Sequence, residues 1–290
     1  MYGILPQLIV NSLIAGAIYT LVTLGFNLIF GVTKFFNIAH GVLCAVGGYA
    51  VFYFAKTLGW NVYLAVIFGM LIAGLLGYLS DVLVYGPLRR RKASHTVSLV
   101  ASLGIFTALQ AVIAILFTSQ FQTLSQNNAG TQTLYQFFGG VMTQTQLIIL
   151  IVGLVIMVAL TLFLRYTTFG KKIRAVSDDE EVASIVGINT SRMIGTVFFI
   201  GSAIAGLAGI LVGFDTGIEP TMGMSLLLKG VVAAIVGGVG SVYGGVLGAF
   251  LLGFVENFGI WKISGEWKDA IAFALLIIFL IFRPRGIIKR

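Results

Sequence analysis

The sequence predicts an all-α membrane protein, a polytopic helix bundle with about eight or nine transmembrane segments. Two properties of the composition support this prediction: 58% of the 290 residues are hydrophobic and only 10% are charged, whereas a soluble domain has about 25% charged residues. A third observation is that apolar runs recur along the whole chain with no shift in composition. We therefore expect one transmembrane domain over residues 1–290, embedded in a lipid bilayer.

Nine apolar segments are candidates for spanning the bilayer, since a spanning helix takes about 20 residues. Five have full length: 8–30, 61–84, 96–118, 145–164 and 193–213. The other four predict short or discontinuous helices: 41–55, 226–238, 243–258 and 270–282. The polar, uncharged stretch at 120–140 is expected to be a loop between two of the long segments.

A glycine-rich sequence at 237–241 separates two of the short segments. If these two formed one long helix, the basic C-terminal tail would lie on the opposite side of the membrane from the other basic loops. We therefore expect a turn here, flanked by two short helices. Such a turn is typical of the discontinuous helices of transport proteins, and an ordinary tight helical hairpin would fit the same residues.

Most basic residues fall on one side of this topology. If the N-terminus lies outside, nine crossings place 14 of the 18 lysines and arginines on a single face. They are Lys34, Arg89, Arg90, Arg91, Lys92, Arg165, Lys171, Lys172, Arg174, Arg192, Arg283, Arg285, Lys289 and Arg290. The positive-inside rule makes this face cytoplasmic, which predicts an inner (plasma) membrane protein with a cytoplasmic C-terminus. The net charge of +8 then reflects orientation, and we expect no nucleic-acid partner.

Few charged residues lie inside the predicted spans. Asp81 and Glu256 lie toward helix ends, and Lys229 lies near an outer end. Ion-coupled carriers commonly use intramembrane charges, which are costly in a bilayer, so their scarcity indicates that the driving energy enters from another chain. For Asp81 we expect a structural role, either snorkelling or pairing with a loop residue.

Nothing in the sequence predicts catalysis. The chain has no Walker A pattern and no H-E-x-x-H or G-x-S-x-G motif. The single cysteine, Cys44, and two histidines provide neither an intrachain disulfide nor a metal site. We expect no catalytic residue, no metal and no cofactor.

Small residues recur at four-residue spacing in two segments, which predicts close helix packing. One stripe comprises Gly201, Ala205, Gly209 and Gly213, and the other Gly69, Ala73 and Gly77.

The loop at about 165–192 predicts a short helix of its own. Ser177 and Glu180 have the spacing of a capping box that opens a helix of about nine residues. Gly187 is placed to end this helix in a turn with positive φ. Its apolar stripe needs a surface to pack on, either the underside of the bundle or a cytoplasmic partner. The stripe comprises Val182, Ile185 and Val186.

The same loop resembles a known coupling motif. Glu181, Val182 and Ala183, followed by Gly187, are similar to the E-A-A-x-x-x-G motif of ABC importer permeases, with valine in place of the middle alanine. Further blocks resemble the branched-chain amino acid permease family and lie at 36–41, 169–176, 187–189, 201–213, 229–230 and 237–241. Together these blocks extend over nearly the whole chain.

The resemblance implies a channel of two permease subunits, identical or different, with ABC ATPase subunits on the cytoplasmic side and a soluble substrate-binding protein outside. It implies import of leucine, isoleucine and valine, of other neutral amino acids, or of urea and short amides. A passive channel for a small neutral solute and an ion-coupled carrier are the alternatives. The residues expected to couple to the ATPase are Ser177, Glu180, Glu181, Val182, Ala183, Ile185, Val186 and Gly187.

Two groups of residues are candidates for lining the translocation path. A helix start favours a carboxylate because its N–H groups are unpaired, and this singles out the residues near the start of the second segment. The alternative is structural: Asn37 would cap the helix that follows, and His40 would hydrogen-bond a backbone carbonyl. The candidates are Asn37, His40, Gly41, Gly238, Gly240 and Ser241.

Overall fold

The computed structural model describes residues 4–125, 133–137, 139–283 and 286–288. Each of the nine predicted segments coincides with a helix there. These helices are α1 (Leu5–Thr33), α2 (Ala39–Val51), α3 (Val62–Ser80), α5 (His95–Phe117), α6 (Gln144–Tyr166), α9 (Thr190–Asp215), α10 (Met222–Gly237), α11 (Val242–Gly259) and α12 (Lys268–Phe282). Three shorter helices are α4 (Gly86–Arg90), α7 (Thr168–Asp178) and α8 (Glu180–Ile185). The basic residues Arg285, Lys289 and Arg290 lie outside the described residues.

The prediction of a polytopic helix bundle is confirmed. By length and composition, six helices of the described residues could cross a membrane, with Val62–Arg90 counted as one, and α10 is a shorter apolar helix. The exposed side chains of the outer helices are apolar, for example Leu71, Ile115 and Leu154. Such an apolar exterior fits a multi-pass membrane protein in contact with lipid or another membrane subunit.

Two helices carry π-helical segments. The helix α2 continues as Phe52–Thr57, and α3 continues through Asp81–Tyr85 into α4. Asp81 is buried, and its carboxylate lies 2.8 Å from the guanidinium of Arg89. Of the two structural roles expected for Asp81, snorkelling or pairing with a loop residue, the ion pair with Arg89 corresponds to the second.

The polar stretch at 120–140 contains a β-hairpin that the sequence analysis treated as loop. Strand β1 (Leu134–Phe137) pairs antiparallel with β2 (Gly140–Thr143), and Leu134 lies opposite Thr143. The hairpin is held to the start of α1, because the side-chain amide of Gln7 exchanges two hydrogen bonds with the backbone of Val141.

The long helices divide into a central and a peripheral group. In the most apolar 18-residue stretches of α1 and α9, 83% and 72% of the residues are buried. In those of α5 and α6, only 17% are buried. The helices α2, α10 and α11 pack directly on this central pair. The core of the bundle is therefore built around α1 and α9, and α3, α5, α6 and α12 flank it.

The predicted stripe on α9 is confirmed as a packing surface. Ala205 is fully buried, and Gly209 lies so close to α2 that an added β-carbon would overlap the carbonyl oxygen of Cys44. The second stripe meets α9 in the same way, since a β-carbon on Gly77 would overlap Ser202. Small residues let these backbones approach more closely than larger side chains would.

The connections between helices define two ends of the bundle. At the end where α1 begins, the β-hairpin meets α1, and Gln122 forms a backbone bridge with Ile218. We name this the hairpin end. At the opposite end α1 finishes, the glycine-rich turn joins α10 to α11, and α7 and α8 lie between α6 and α9. We name this the α8 end.

The chain segment 286–288 returns to the α8 end and packs on the last turn of α10. The N–H groups of Ile287 and Ile288 donate to the carbonyl oxygens of Val236 and Gly237, at 3.0 and 3.1 Å. The last carbonyl groups of a helix have no partner within that helix. The segment therefore supplies the donors that α10 cannot supply itself.

Candidate functional site

The loop at 165–192 contains an amphipathic helix, α7, that the sequence analysis did not predict. Thr167 caps its start by accepting a hydrogen bond from the N–H of Gly170 at 3.0 Å. Ile173 and Val176 are buried against the bundle, whereas Lys171 is exposed. The helix therefore packs its apolar face on α1, α6 and α9 at the α8 end.

Ser177 does not open the next helix, so the predicted Ser177–Glu180 capping box is wrong. Ser177 lies near the end of α7, and its buried hydroxyl donates to the carbonyl oxygen of Gly31 in α1 at 2.7 Å. The helix α8 is capped instead by Asp179, whose side chain accepts from the N–H of Val182 at 2.9 Å. The contact with α1 favours extension of α7 through Ser177, and this leaves α8 with 6 residues.

The apolar stripe predicted on the short helix is exposed. Val182, Ile185 and Val186 are 55%, 84% and 69% exposed, while Ala183 is buried beneath them. Glu180 and Glu181 occupy the first turn of the helix. The result is a small apolar surface that projects from the α8 end, bordered by negative charge.

Gly187 ends α8 in the left-handed conformation that was predicted, with φ of +87°. Its N–H donates to the carbonyl oxygen of Ser184 and that of Ile188 donates to Ala183, both at 3.0 Å. A residue with a β-carbon is strained at this φ. The turn directs the chain to Asn189, whose side chain caps α9.

The glycine-rich turn between α10 and α11 is clamped by Asn27 of α1. The Asn27 amide nitrogen donates to the carbonyl oxygen of Ser241 at 2.9 Å, and its oxygen accepts from the N–H of Gly240 at 3.0 Å. Gly238 and Gly240 have φ of +117° and +79°, values at which glycine is favoured. The predicted break is confirmed, and a polar side chain from another helix holds its shape.

A cavity of about 430 Å³ lies at the α8 end between α1, α6, α7 and this turn. It brings together predicted residues from both regions, namely Ser177, Gly240 and Ser241, and adds Asn27 and Arg174. Its polar groups are amides, hydroxyls and the guanidinium groups of Arg165 and Arg174, set in a mainly apolar lining. The described residues include no group of three or more His, Cys, Asp or Glu that could hold a metal ion.

The other candidates for the path do not line this cavity. Gly238 lies in the turn at the end of α10, and Asn37, His40 and Gly41 lie in the helix packing. Asn37 does not cap α2, which has no side-chain cap, because its oxygen accepts a hydrogen bond from the Tyr85 hydroxyl at 2.9 Å. His40 is fully buried, and its Nε2 lies 3.3 Å from the carbonyl oxygen of Val22. Gly41 packs against the backbone of Gly223. The geometry of His40 corresponds to the structural alternative.

Comparisons with known proteins identify the family of this chain. The model of a family described as "Branched-chain amino acid transport system / permease component" matches residues 8–280. This chain belongs to that family. It is 33% identical over 295 residues to a relative in Escherichia coli K12 named "High-affinity branched-chain amino acid transport system permease protein LivH", with 98% of this chain and 95% of the relative covered. BraD of Pseudomonas aeruginosa, a protein of the same description, is 31% identical with 100% and 97% covered.

A solved structure shares the fold of this permease. It is described as "PsaBC from Streptococcus pneumoniae in complex with Fab", and the match covers 98% of this chain and 93% of that chain. The TM-score is 0.50 and the sequence identity is 16%, so the likeness concerns the fold alone.

Two features of the permease site were missed by sequence reasoning. Asn27 is an amide inside an apolar span, and its position among hydrophobic residues was the signal that could have identified it. The helix α7 follows a threonine and has apolar residues at helical spacing. Its amphipathic pattern is present in the sequence, where the same basic residues also fit the positive-inside rule.

Proposed function

We propose that this permease forms the translocation pathway of an ABC importer for branched-chain or other small neutral amino acids. The observation that carries the proposal is the match of residues 8–280 to a family of branched-chain amino acid permeases. The proposed partners are ABC ATPase subunits, a second permease subunit, identical or different, and an extracytoplasmic substrate-binding protein. ATP hydrolysis is assigned to the ATPase partners and not to this chain.

The α8 end is proposed to be cytoplasmic and to bind the ATPase. Support comes from the exposed apolar surface of Val182, Ile185 and Val186, because a short helix with an uncovered apolar face needs a partner in water. The lining of the pathway is assigned to Asn27, Gly240 and Ser241 at this end, whereas Asn37 and His40 are assigned structural roles.

Two other functions fit part of these observations. A permease of the same family could carry urea or a short amide, since the cavity at the α8 end does not distinguish these solutes from amino acids. A passive channel needs no ATPase, so it would not account for the exposed apolar surface of α8. Uptake of leucine and of urea is measured in vesicles with and without ATP and the ATPase. The preferred solute separates the two importers, and uptake without ATP identifies a passive channel.

The proposed orientation predicts which residues an impermeant reagent reaches from outside. In a Cys44→Ala background, Asn127→Cys should be labelled from the outer face, whereas Arg90→Cys and Glu180→Cys should not, because the basic loops are proposed to be cytoplasmic. Residue 127 lies outside the described residues, so its labelling is predicted from the sequence alone. Labelling after permeabilisation provides the control for reactivity. Labelling of Glu180→Cys from outside intact cells would contradict the proposed orientation and indicate the opposite one.

The coupling proposal predicts that Gly187→Val weakens ATPase binding or uncouples ATP hydrolysis from uptake. The β-branched side chain strains the turn at φ +87°, so the apolar surface of α8 is displaced from its partner. Loss of an anchor at an interface costs about 1–2 kcal/mol, or about a five- to thirty-fold loss of affinity. Glu181→Lys should act in the same direction by reversing charge beside the surface.

Gly59→Val is a matched control, since Gly59 has φ of +70°, meets nothing within 4 Å and lies at the hairpin end. It should impose similar backbone strain without affecting the ATPase. The measurements are co-purification with the ATPase and ATP-driven uptake in vesicles. If Gly187→Val and Glu181→Lys both insert, retain the ATPase and transport normally, α8 is not the coupling element and the passive channel is favoured.

A further inference from the structure

A second cavity, of about 350 Å³, opens at the hairpin end and is distinct from the one at the α8 end. It lies among α1, the start of α6, the end of α9, α10, α11 and the start of α12. Its volume falls in the range of small-molecule binding sites, which is about 300–1,000 Å³. Unlike the first cavity, it is lined by side chains of both charges.

Two lysine ammonium groups line this cavity. Lys229 of α10 lies 3.6 Å from Glu256, 3.2 Å from Asp269 and 3.4 Å from the Tyr19 hydroxyl. Lys268 of α12 lies 3.7 Å from Glu256, which is its one ion pair among the described residues. Lys268 therefore keeps donors available for a further anion.

Glu256 holds these lysines in place and does not neutralise both of them. Its side chain is fully buried, and it accepts a hydrogen bond from the Tyr19 hydroxyl at 2.6 Å. The other nearby carboxylate, Asp269, is 66% exposed and is screened by solvent. Glu256 is shared between the two lysines, and Asp269 pairs with Lys229 at 3.2 Å. Lys268 is therefore the lysine that a further anionic group would meet.

A carboxylate lines the same cavity from a different helix. Asp215, the last residue of α9, accepts a hydrogen bond from the Gln146 amide at 3.2 Å. Within the described part of the chain it has no ion pair with a lysine or arginine. A partly buried carboxylate with one neutral donor is suited to an ammonium ligand.

The remaining lining combines aliphatic residues with the polar residues Asn11, Thr216, Ser225 and Asn257. Ile14 and Ile18 of α1, Val212 of α9 and Leu226 of α10 contribute to it. A cavity lined by groups of opposite charge and by aliphatic side chains matches a zwitterion that carries a hydrocarbon side chain.

We infer that this cavity binds an α-amino acid with an aliphatic side chain before it crosses the bundle. Lys268 receives the carboxylate, Asp215 receives the ammonium group, and the isoleucines contact the side chain. Glu256 and Tyr19 are positioning residues that hold the lysines. The inference rests on the proposed function and deepens it, because it assigns recognition of both charged groups of the substrate to the permease itself.

Equilibrium binding of radiolabelled leucine to the full-length permease in nanodiscs tests this inference. Leucinol lacks the carboxylate and 4-methylpentanoate lacks the ammonium group, so each should compete at least about tenfold more weakly than leucine. Lys268→Met should weaken leucine binding at least about tenfold and leave leucinol unchanged. Asp215→Asn should weaken leucine binding at least about tenfold and leave the binding of 4-methylpentanoate unchanged. Lys268→Arg should restore binding.

Lys262→Met is the matched control, since Lys262 is exposed at the same end and does not line the cavity. It should bind leucine as the wild type does, and equal thermal melting of all variants in detergent checks folding. Wild-type binding that does not distinguish leucine from leucinol overturns the inference, as does unchanged leucine binding in Lys268→Met and Asp215→Asn.

A parallel uptake assay with the ATPase and binding protein separates this inference from the proposed function. If wild-type vesicles import leucine with ATP, and Lys268→Met and Asp215→Asn bind and import it normally, the proposed function stands and the cavity site is rejected. If the wild type imports urea with ATP and excludes leucine, the proposed function and the inference both fail.

Discussion

Replacement of Glu256 by alanine should destabilise the folded permease in detergent by about 3 kcal/mol. The carboxylate is fully buried and lies within 4 Å of both Lys229 and Lys268. Removal of one partner of a buried ion pair costs about 3–5 kcal/mol because the other charge is left uncompensated. We expect the lower part of this range, since Asp269 still faces Lys229 and the Lys268 side chain is 33% exposed.

The measurement is thermal or denaturant-induced unfolding of the purified variant. Glu266→Ala is the control, because Glu266 is an exposed carboxylate at the same end without an ion pair among the described residues. A double variant, Glu256→Ala with Lys229→Met, should recover part of the loss, and the non-additivity of the cycle measures the coupling. Wild-type stability of Glu256→Ala would show that the three groups do not interact.

Gly209→Leu should destabilise the bundle by at least about 3 kcal/mol, or prevent its accumulation altogether. Insertion of extra methylene groups into a well-packed core costs about 1–3 kcal/mol when side chains can move aside. Here the added β-carbon would meet the backbone carbonyl of Cys44 in α2, which cannot move without shifting the whole helix. The folded yield in detergent and the melting temperature report this loss.

Gly104→Leu serves as the control for this prediction. Gly104 lies on the peripheral helix α5, and a β-carbon there would meet nothing within 4 Å. The same substitution should therefore leave yield and melting close to wild type. Equal behaviour of Gly209→Leu and Gly104→Leu would mean that the stripe on α9 faces lipid.

Most of the helical architecture could be predicted from the sequence, because a span needs little more than a long apolar run. The glycine-rich turn was also predictable, since the positions of the basic residues required a break near Gly238. The predicted capping box at Ser177 was wrong for a physical reason, because a serine hydroxyl can either cap a helix or donate a hydrogen bond to a distant carbonyl oxygen. The contact with Gly31 involves a residue 146 positions away, which local pattern does not reveal.

The charged groups at the hairpin end illustrate a second limit. Glu256 was recognised as a charge near a helix end, but its partner Tyr19 is 237 positions away. Lys229 and Lys268 come from two further helices. A sequence shows that such groups exist in an apolar context, whereas the packing of four helices determines whether they meet. Candidate residues within one loop were therefore more accessible to prediction than a cavity assembled from six helices.

The return of segment 286–288 to α10 has a consequence for biogenesis. The ribosome completes α10 well before Ile287 and Ile288, and α11 and α12 are synthesised in between. During that interval the carbonyl groups of Val236 and Gly237 lack the donors that they have in the finished fold. The base of the glycine-rich turn can therefore close only after α11 and α12 have been synthesised. A premature stop codon just before Ile287 would leave α1 to α12 in the nascent chain and still release a product whose α10 terminus is open.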